Sequence, residues 1–125
     1  MDGPPPGSLA LGDGVEALGY VPELYRHLAA CDVAITQGGG TTTMELTALR
    51  RPFVYFPLEG HFEQEQSVAP RLERLGGGFR MAPSRTTPDA LAAAVLSLCG
   101  STPHYAAPPA DGARKAAEMV LSLVQ

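Results

Sequence analysis

Glycines and hydroxyl side chains are concentrated in one run, Gln37-Gly38-Gly39-Gly40-Thr41-Thr42-Thr43-Met44-Glu45. An apolar, strand-like segment, Val33-Ala34-Ile35-Thr36, precedes it, and a helical pattern, Met44-Glu45-Leu46-Thr47-Ala48-Leu49, follows. A strand, a glycine turn and a helix start together make an anion site. Glycine lets a ligand approach the backbone, and the first N–H groups of a helix have no intrahelical acceptor. Thr41, Thr42 and Thr43 add hydroxyl donors, and Glu45, one turn further on, offers a carboxylate to a pair of sugar hydroxyls. The run therefore suits a nucleoside diphosphate and its ribose. A structural reading stands beside this one. Thr42-x-x-Glu45 is also a capping box, in which two side chains satisfy N–H groups at a helix start, and three glycines in a row also make a loose turn.

The elements that must position this run are legible as alternating strands and helices. Residues 1–14 are rich in Pro and Gly and read as a loop, and Val15–Val21 reads as a strand. Pro22 is expected to open a helix with Leu24, Tyr25, Leu28 and Ala29 on one face, since proline is tolerated at the first helical position. Val33–Thr36 is a short strand, Thr42–Leu49 a helix stopped by Arg50-Arg51-Pro52, and Phe53–Phe56 a strand of the fully buried type. Gln64–Leu75 reads as a helix with Val68, Leu72 and Leu75 on one side. Pro70 lies inside it, where proline costs roughly 3 kcal/mol, so a kink or a late start is expected. Gly76-Gly77-Gly78 ends that helix before a strand at Phe79–Met81. Thr87-Pro88-Asp89 starts an amphipathic helix over Pro88–Leu98. A Pro- and Ala-rich loop over 100–110 leads to a last helix, Ala113–Val124. The alternation predicts an α/β fold with a parallel, doubly wound sheet. In such folds ligands sit beyond the carboxyl ends of the strands, and Gly38–Thr42 and Leu58–Gln64 both fall there.

Composition narrows the function classes. The chain has 125 residues, 45% hydrophobic and 18% charged, with a formal net charge of −4, which fits one small globular domain. It has no basic stripe of the kind nucleic acid requires. It has no apolar run near the ~20 residues that span a bilayer, and its first residues lack the character of a signal peptide. A cytoplasmic location is the expectation. The two cysteines, Cys31 and Cys99, have no metal-type spacing and are read as buried thiols, not a disulfide framework. Eight arginines to one lysine, with abundant Ala, Gly and Pro, point to a GC-rich bacterial genome.

Several spaced motifs carry a resemblance. GYVPEL, then CDVAITQGGGTTTMELTALRRPFVYFPL, then HFEQ, then a GGG turn resemble the C-terminal, donor-binding half of GT-B glycosyltransferases over roughly residues 15–100. The chain is similar in particular to the lipid II N-acetylglucosaminyltransferases and to UDP-dependent natural-product glycosyltransferases. The resemblance implies a Rossmann-like parallel sheet flanked by helices. It implies transfer of a sugar from a nucleotide sugar, UDP-linked by preference, to an acceptor hydroxyl by direct displacement at the anomeric carbon. No cofactor is implied beyond the nucleotide-sugar donor itself, which is substrate.

The resemblance also gives roles to residues. Tyr20 falls where many members stack an aromatic ring on uracil, and Glu23 where they place a glutamine that reads the base. Gln37 takes the place of a histidine that touches the diphosphate. Gly39, Gly40 and Thr42 fall in the phosphate loop, Glu45 matches the acid that holds the ribose hydroxyls, and Glu63-Gln64 matches the pair that grips the donor sugar. Three departures stand out. Gln37 cannot carry a positive charge, an ionised Glu23 cannot donate to a uracil carbonyl, and no basic residue lies inside the phosphate loop. Glu23 thus leaves TDP- and GDP-sugars open, and Arg26, Arg50, Arg51 and Arg80 are the cations in reach of the loop.

The family also has an N-terminal acceptor domain, and its donor domain begins with two strands and a helix that have no counterpart here. The chain is accordingly expected to be a fragment, a truncated gene product or one subunit of a split enzyme. Residues 15–125 would form a partial donor domain that works with a missing acceptor domain or partner chain. In the usual strand order the first strand is central. Val15–Val21 would therefore lose its neighbours while the later three strands stay together, and the open sheet edges would favour homo-oligomers. A non-catalytic donor subunit and a sugar-nucleotide 2-epimerase-like fragment are the alternatives. The epimerases resemble Ser-Gly-Gly followed by paired glutamates, whereas a single Glu45 follows three threonines here.

No catalytic residue is assigned outright. His61, in the loop Gly60-His61-Phe62-Glu63, is the one candidate as base or phosphate contact, and the alternative is that it orders the loop. His27 reads as structural and His104 as exposed. Glu59, Glu63 and Glu65 with His61 lack a recognised ligand spacing, and no metal is expected. Phe53, Tyr55 and Phe56 read as core.

Overall fold

The computed structural model describes residues 12–124. Most of the N-terminal loop expected over 1–14 thus lies outside the described residues. In chain order the elements are α1 (Leu24–Ala30), β1 (Ala34–Gln37), α2 (Gly40–Ala48), β2 (Phe53–Phe56), a π-helical turn (Gln64–Val68) running into α3 (Ala69–Leu75), β3 (Phe79–Arg80), a 3-10 turn (Pro83–Arg85), α4 (Pro88–Leu98) and α5 (Gly112–Ser122).

The three strands form one parallel sheet in the order β1-β2-β3, a Rossmann-like α/β arrangement with flanking helices. Ala34 pairs with Phe53 and Gln37 with Phe56, while Val54 pairs with Phe79. β2 is central, and Phe53, Val54 and Tyr55 are all buried, which is why its sequence is an unbroken apolar run. Phe53 and Tyr55 join Leu46 from α2 and Val68, Ala69 and Leu72 from the π turn and α3 in one core, with Leu28 of α1 at its margin. Alternation along the strand sends Val54 and Phe56 to the other face, where Phe56 shares a cleft with Pro88 and Leu91 of α4.

The loop over 100–110 is anchored at Tyr105. Its hydroxyl donates to the Arg51 carbonyl at 2.8 Å, and its ring meets Phe53 edge-on at 6.0 Å. Gly78 is fixed by close approach: φ is +72°, and a Cβ there would overlap the Phe53 ring and meet Tyr55 Cδ1 at 2.8 Å.

Five sequence expectations are corrected. Val15–Val21 forms no strand. Val15, Leu18 and Tyr20 are exposed: the segment buries no face that would fix it as a strand, and it does not add to the open edge of β1. Helix α1 starts at Leu24, not at Pro22. Glu23 adopts the left-handed conformation (φ 50°, ψ 48°) and ends a turn before it. Leu24 and Tyr25 are exposed, and only Leu28 of that helix is buried. The Thr42–Glu45 capping box is not made. The helix starts at Gly40 with Gly39 as an uncapped N-cap residue, which puts Thr42 and Glu45 inside it. The thiols are not both buried either: Cys99 is exposed, Cys31 is half-buried, and neither forms a disulfide.

Pro70 behaves as its chemistry requires. α3 begins at Ala69 with Pro70 in its first turn, and the preceding turn widens to π geometry, Ala69 N–H donating to Gln64 O. β2 and α4 keep their expected bounds.

Candidate functional site

The glycine turn sits at the carboxyl end of β1. Gly38 N–H donates to Phe56 O at 3.1 Å, which carries the sheet ladder one residue past the strands. A Cβ at Gly38 would stand 2.8 Å from Pro57 Cα and 3.3 Å from Gln64 Oε1. Only glycine lets the two loops at this edge close on each other. Gly39 follows in extended conformation (φ −66°, ψ 141°), and α2 begins.

The first acceptor-bonded amide of the helix is Thr43 N–H, which reaches Gly39 O at 3.3 Å. The amides of Gly40, Thr41 and Thr42 precede it and have no intrahelical acceptor. With no side chain capping them, they carry the partial positive charge of the helix N-terminus outward. Thr43 is fully buried, and its hydroxyl donates to Gly39 O at 2.7 Å, with Gly40 O 3.2 Å away. Thr47 repeats the arrangement toward Thr43 O at 2.8 Å. Of the three threonines, Thr43 therefore builds the turn, while Thr41 is exposed and Thr42 half-buried.

The second loop leans on the first. Gln64 Oε1 accepts Leu58 N–H at 2.8 Å, so the side-chain amide's NH2 is left as its donor end. A Cβ on Gly40 would lie 4.0 Å from Glu63 Oε1. Glu63, Gln64, Gly38 and Gly40 thus lie together. His61 Nδ1 accepts Gln64 N–H at 3.4 Å, and His61 N–H donates to Leu58 O at 3.0 Å. These bonds order the loop and place the ring at the start of the helix carrying Gln64.

Glu45 is half-buried, beside a cavity of about 500 Å³ between α2 and residues 107–110. Met44, Ala48 and Pro108 give that cavity an apolar wall, and Arg50 lies at its other end.

The remaining expected residues, Gln37 excepted, stand apart from the turn. Gln37 ends β1 with an exposed side chain. Tyr20 is 68% exposed in the segment before α1. The Glu23 carboxylate accepts Tyr25 OH at 3.2 Å and pairs with Arg26 at 3.3 Å. Arg26 is thereby engaged at the start of α1. Arg50 and Arg51 are not near the phosphate loop. α2 runs back across the sheet, so they lie at the amino end of β2, the edge opposite the glycine turn. Arg80 is at the carboxyl end of β3 and lines a separate polar cavity with Pro57 and Arg85. His27 and His104 are exposed. Among the described residues no group of His, Cys, Asp or Glu is arranged to hold a metal ion.

Two features of the site were not read from the sequence. One is the buried Thr43 hydroxyl, for which Thr-x-x-x-Thr spacing inside a helix is the available signal. The other is the Glu59–Ser84 contact, Ser84 Oγ donating at 2.6 Å across 25 residues, which no local pattern announces.

Comparison with known proteins bears on this geometry. The family described as "Glycosyltransferase family 28 C-terminal domain" matches residues 7–122. The UDP-N-acetylglucosamine--N-acetylmuramyl-(pentapeptide) pyrophosphoryl-undecaprenol N-acetylglucosamine transferase of Methylobacterium radiotolerans is 34% identical over 110 residues, 86% of this chain and 30% of that protein. The like-named transferase of Mycolicibacterium paratuberculosis is 33% identical over 99 residues, 78% of this chain and 24% of its own length. An uncharacterized glycosyltransferase of Methanopyrus kandleri is 34% identical over 112 residues, 88% of this chain and 32% of that protein. The chain spans about a quarter to a third of the length of these curated relatives. No solved structure matches it.

Proposed function

The chain belongs to the glycosyltransferase family 28 C-terminal domains, and from that premise we propose that residues 15–125 bind the nucleotide-sugar donor of a glycosyltransferase. The observation that carries this reading is the uncapped first turn of α2, set at the carboxyl end of a parallel strand with Glu45 one turn further on. The amides of Gly40 to Thr42 take the diphosphate. They stabilise the charge that builds up on it as the glycosidic bond breaks, the role that preorganised donors play at other developing anions. Glu45 accepts from the ribose hydroxyls, and the Gln64 NH2 and Glu63 carboxylate take the donor sugar. Tyr20 offers a ring to the base and Glu23 lies with it, while Gln37 is the side chain offered to the diphosphate.

A UDP-sugar is the proposed donor, after the substrate that the relatives' names print. The cytoplasm is the proposed location, and among the described residues no helix is long and apolar enough to cross a membrane. An acceptor domain, in a longer chain or a partner, completes the enzyme. The open edge of β1 makes self-association part of the same proposal. His61 has a positioning role here, because its Nδ1 is engaged with Gln64 N–H.

Calorimetric titration of the chain with UDP tests the reading. Saturable binding is expected, weakened by roughly tenfold or more in Glu45→Ala, since a hydrogen bond to a charged group is worth about 1.5–3 kcal/mol. A folded chain that takes up no UDP, or that binds it equally well without Glu45, overturns the assignment.

A further inference from the structure

We propose that His61 makes the loop carrying Glu63 and Gln64 proton-sensitive. Its neutral imidazole caps the helical turns that run into α3, and uptake of a proton releases the cap.

The capping geometry is explicit. Helical turns begin at Phe62, and the first helical bond runs from Glu65 N–H to His61 O at 3.0 Å. His61 Nδ1 accepts Gln64 N–H at 3.4 Å. A serine or aspartate side chain makes the same bond when it stands three residues before a free amide at a helix start. Histidine differs from those caps, because a proton removes its accepting lone pair close to neutral pH. To accept at Nδ1 the ring carries its hydrogen on Nε2, whereas an imidazolium has N–H at both positions and accepts nothing. The imidazolium would also set a positive charge against the positive end of the helix.

Gln64 is the centre of the loop. Its N–H is the group that His61 caps, and its Oε1 accepts Leu58 N–H at 2.8 Å. His61 N–H closes the same turn on Leu58 O at 3.0 Å. Proton uptake therefore loosens a loop that meets Gly38 through Gln64 and Gly40 through Glu63. No carboxylate holds the charged ring in place. Glu59, Glu63 and Glu65 are the titratable neighbours on this loop and helix start, and among the described residues none pairs with His61. Arg80 and Arg85 line the adjoining cavity with Glu59 and Glu65, and the facing turn, Gly38–Thr43, is uncharged.

The proton-operated cap stands on these bonds alone. Its effect on a ligand rests on the donor-site reading, which gives Glu63 and Gln64 the donor sugar.

Amide hydrogen exchange of the free chain, followed by NMR, reads the cap. His61→Asn is the comparison, since Asn caps a helix without titrating. The ratio of Gln64 exchange in the parent to that in His61→Asn should rise roughly tenfold between about pH 7.5 and about pH 5.5, on either side of the ~6.5 at which an imidazole ordinarily titrates. His61→Ala should exchange fast at Gln64 at both pH values, and amide dispersion reports that each variant is folded. A ratio that does not move with pH would overturn the proposal. Calorimetry with UDP-N-acetylglucosamine reads the consequence. Over the same interval the parent should lose affinity severalfold relative to His61→Asn, a comparison that cancels the ligand's own titration. The exchange contrast with no such loss would take Glu63 and Gln64 out of the donor site and leave the cap standing. The same contrast in a folded chain that takes up neither UDP nor UDP-N-acetylglucosamine would remove the donor-site reading and again support the cap.

Discussion

Gly38 and Gly39 are adjacent, and the structure gives them opposite roles. A methyl at Gly38 collides with backbone, Pro57 Cα at 2.8 Å, while a methyl at Gly39 meets nothing within 4 Å. Gly39 also has an ordinary φ of −66°, which alanine adopts freely. Gly38→Ala should therefore destabilise the fold by about 1–3 kcal/mol, the usual cost of overpacking. Gly39→Ala should leave the melting temperature unchanged or slightly raised, since fewer unfolded conformers are lost on folding. The same methyl would stand in the open space that a phosphate must enter to reach the amides of Gly40 to Thr42, so Gly39→Ala should weaken UDP binding while the fold survives. Thermal denaturation read beside calorimetry separates the two effects. A Gly39→Ala chain that binds UDP like the parent would mean the turn is architecture and nothing more. Glu45 and Gln64 can be judged in the same way. Gln64 has a structural bond to Leu58 N–H, so its removal perturbs both loop and ligand. Glu45 lines an open cavity and is the cleaner probe.

At the scale of elements, the exit loop of β2 is tied to the 3-10 turn after β3 by Glu59 and Ser84. The Ser84 hydroxyl and N–H hold the Glu59 carboxyl below its ordinary range. A depressed folded-state pKa contributes stability above the unfolded value, about 4.3 for Glu, and that contribution is lost as pH falls through the folded value. Ser84→Ala should raise the Glu59 carboxyl toward the ordinary carboxylate range in a carbon-13 titration, the backbone N–H at this position being kept. The stability gap between the two proteins should be present at neutral pH and close in acid. An unchanged Glu59 titration in the variant would mean that Ser84 does not hold the carboxylate in solution.

Elements of this kind also show what the sequence made legible. β2 and α4 were readable to the residue. One is a buried apolar run, and the other opens at Thr87, whose hydroxyl accepts Ala90 N–H at 3.1 Å. Thr42-x-x-Glu45 imitates a cap that the chain does not make, and so points to a start of α2 two residues late. Val15–Val21 has strand-like residues, yet it leaves the edge of β1 unpaired, because pairing depends on burial against the rest of the fold and is not a local property. The glycine turn is legible because its residues lie in one short run, whereas Glu63-Gln64 is singled out only by the family resemblance. The Glu59–Ser84 tie and the cavity lined by Arg80 and Arg85 are not legible, because folding brings together residues far apart in the chain.

For the whole molecule, two of the apolar surfaces left uncovered among the described residues bear on association. β1 has an unpaired edge among the described residues, with Ile35 54% exposed, and α5 displays Met119, Val120 and Leu123 beside a shallow apolar groove. Covering one such side chain fully is worth about 1.5–3 kcal/mol, so the four together reach several kcal/mol gross. Bringing two separate chains together costs about 4–15 kcal/mol in lost freedom. The surplus is small, and self-association should be weak and concentration-dependent. In one longer polypeptide the same surfaces would meet at an effective concentration of order millimolar, so a modest patch could hold two domains together there while barely holding two chains. Light scattering should show a monomer at low micromolar concentration and a mass rising toward the dimer at several hundred micromolar. Ile35→Lys should suppress that rise if the sheet edge is the contact, and Leu123→Glu if α5 is. A mass that stays monomeric throughout would mean that neither surface is sticky enough to pair with its own copy, and would remove self-association from the proposed function.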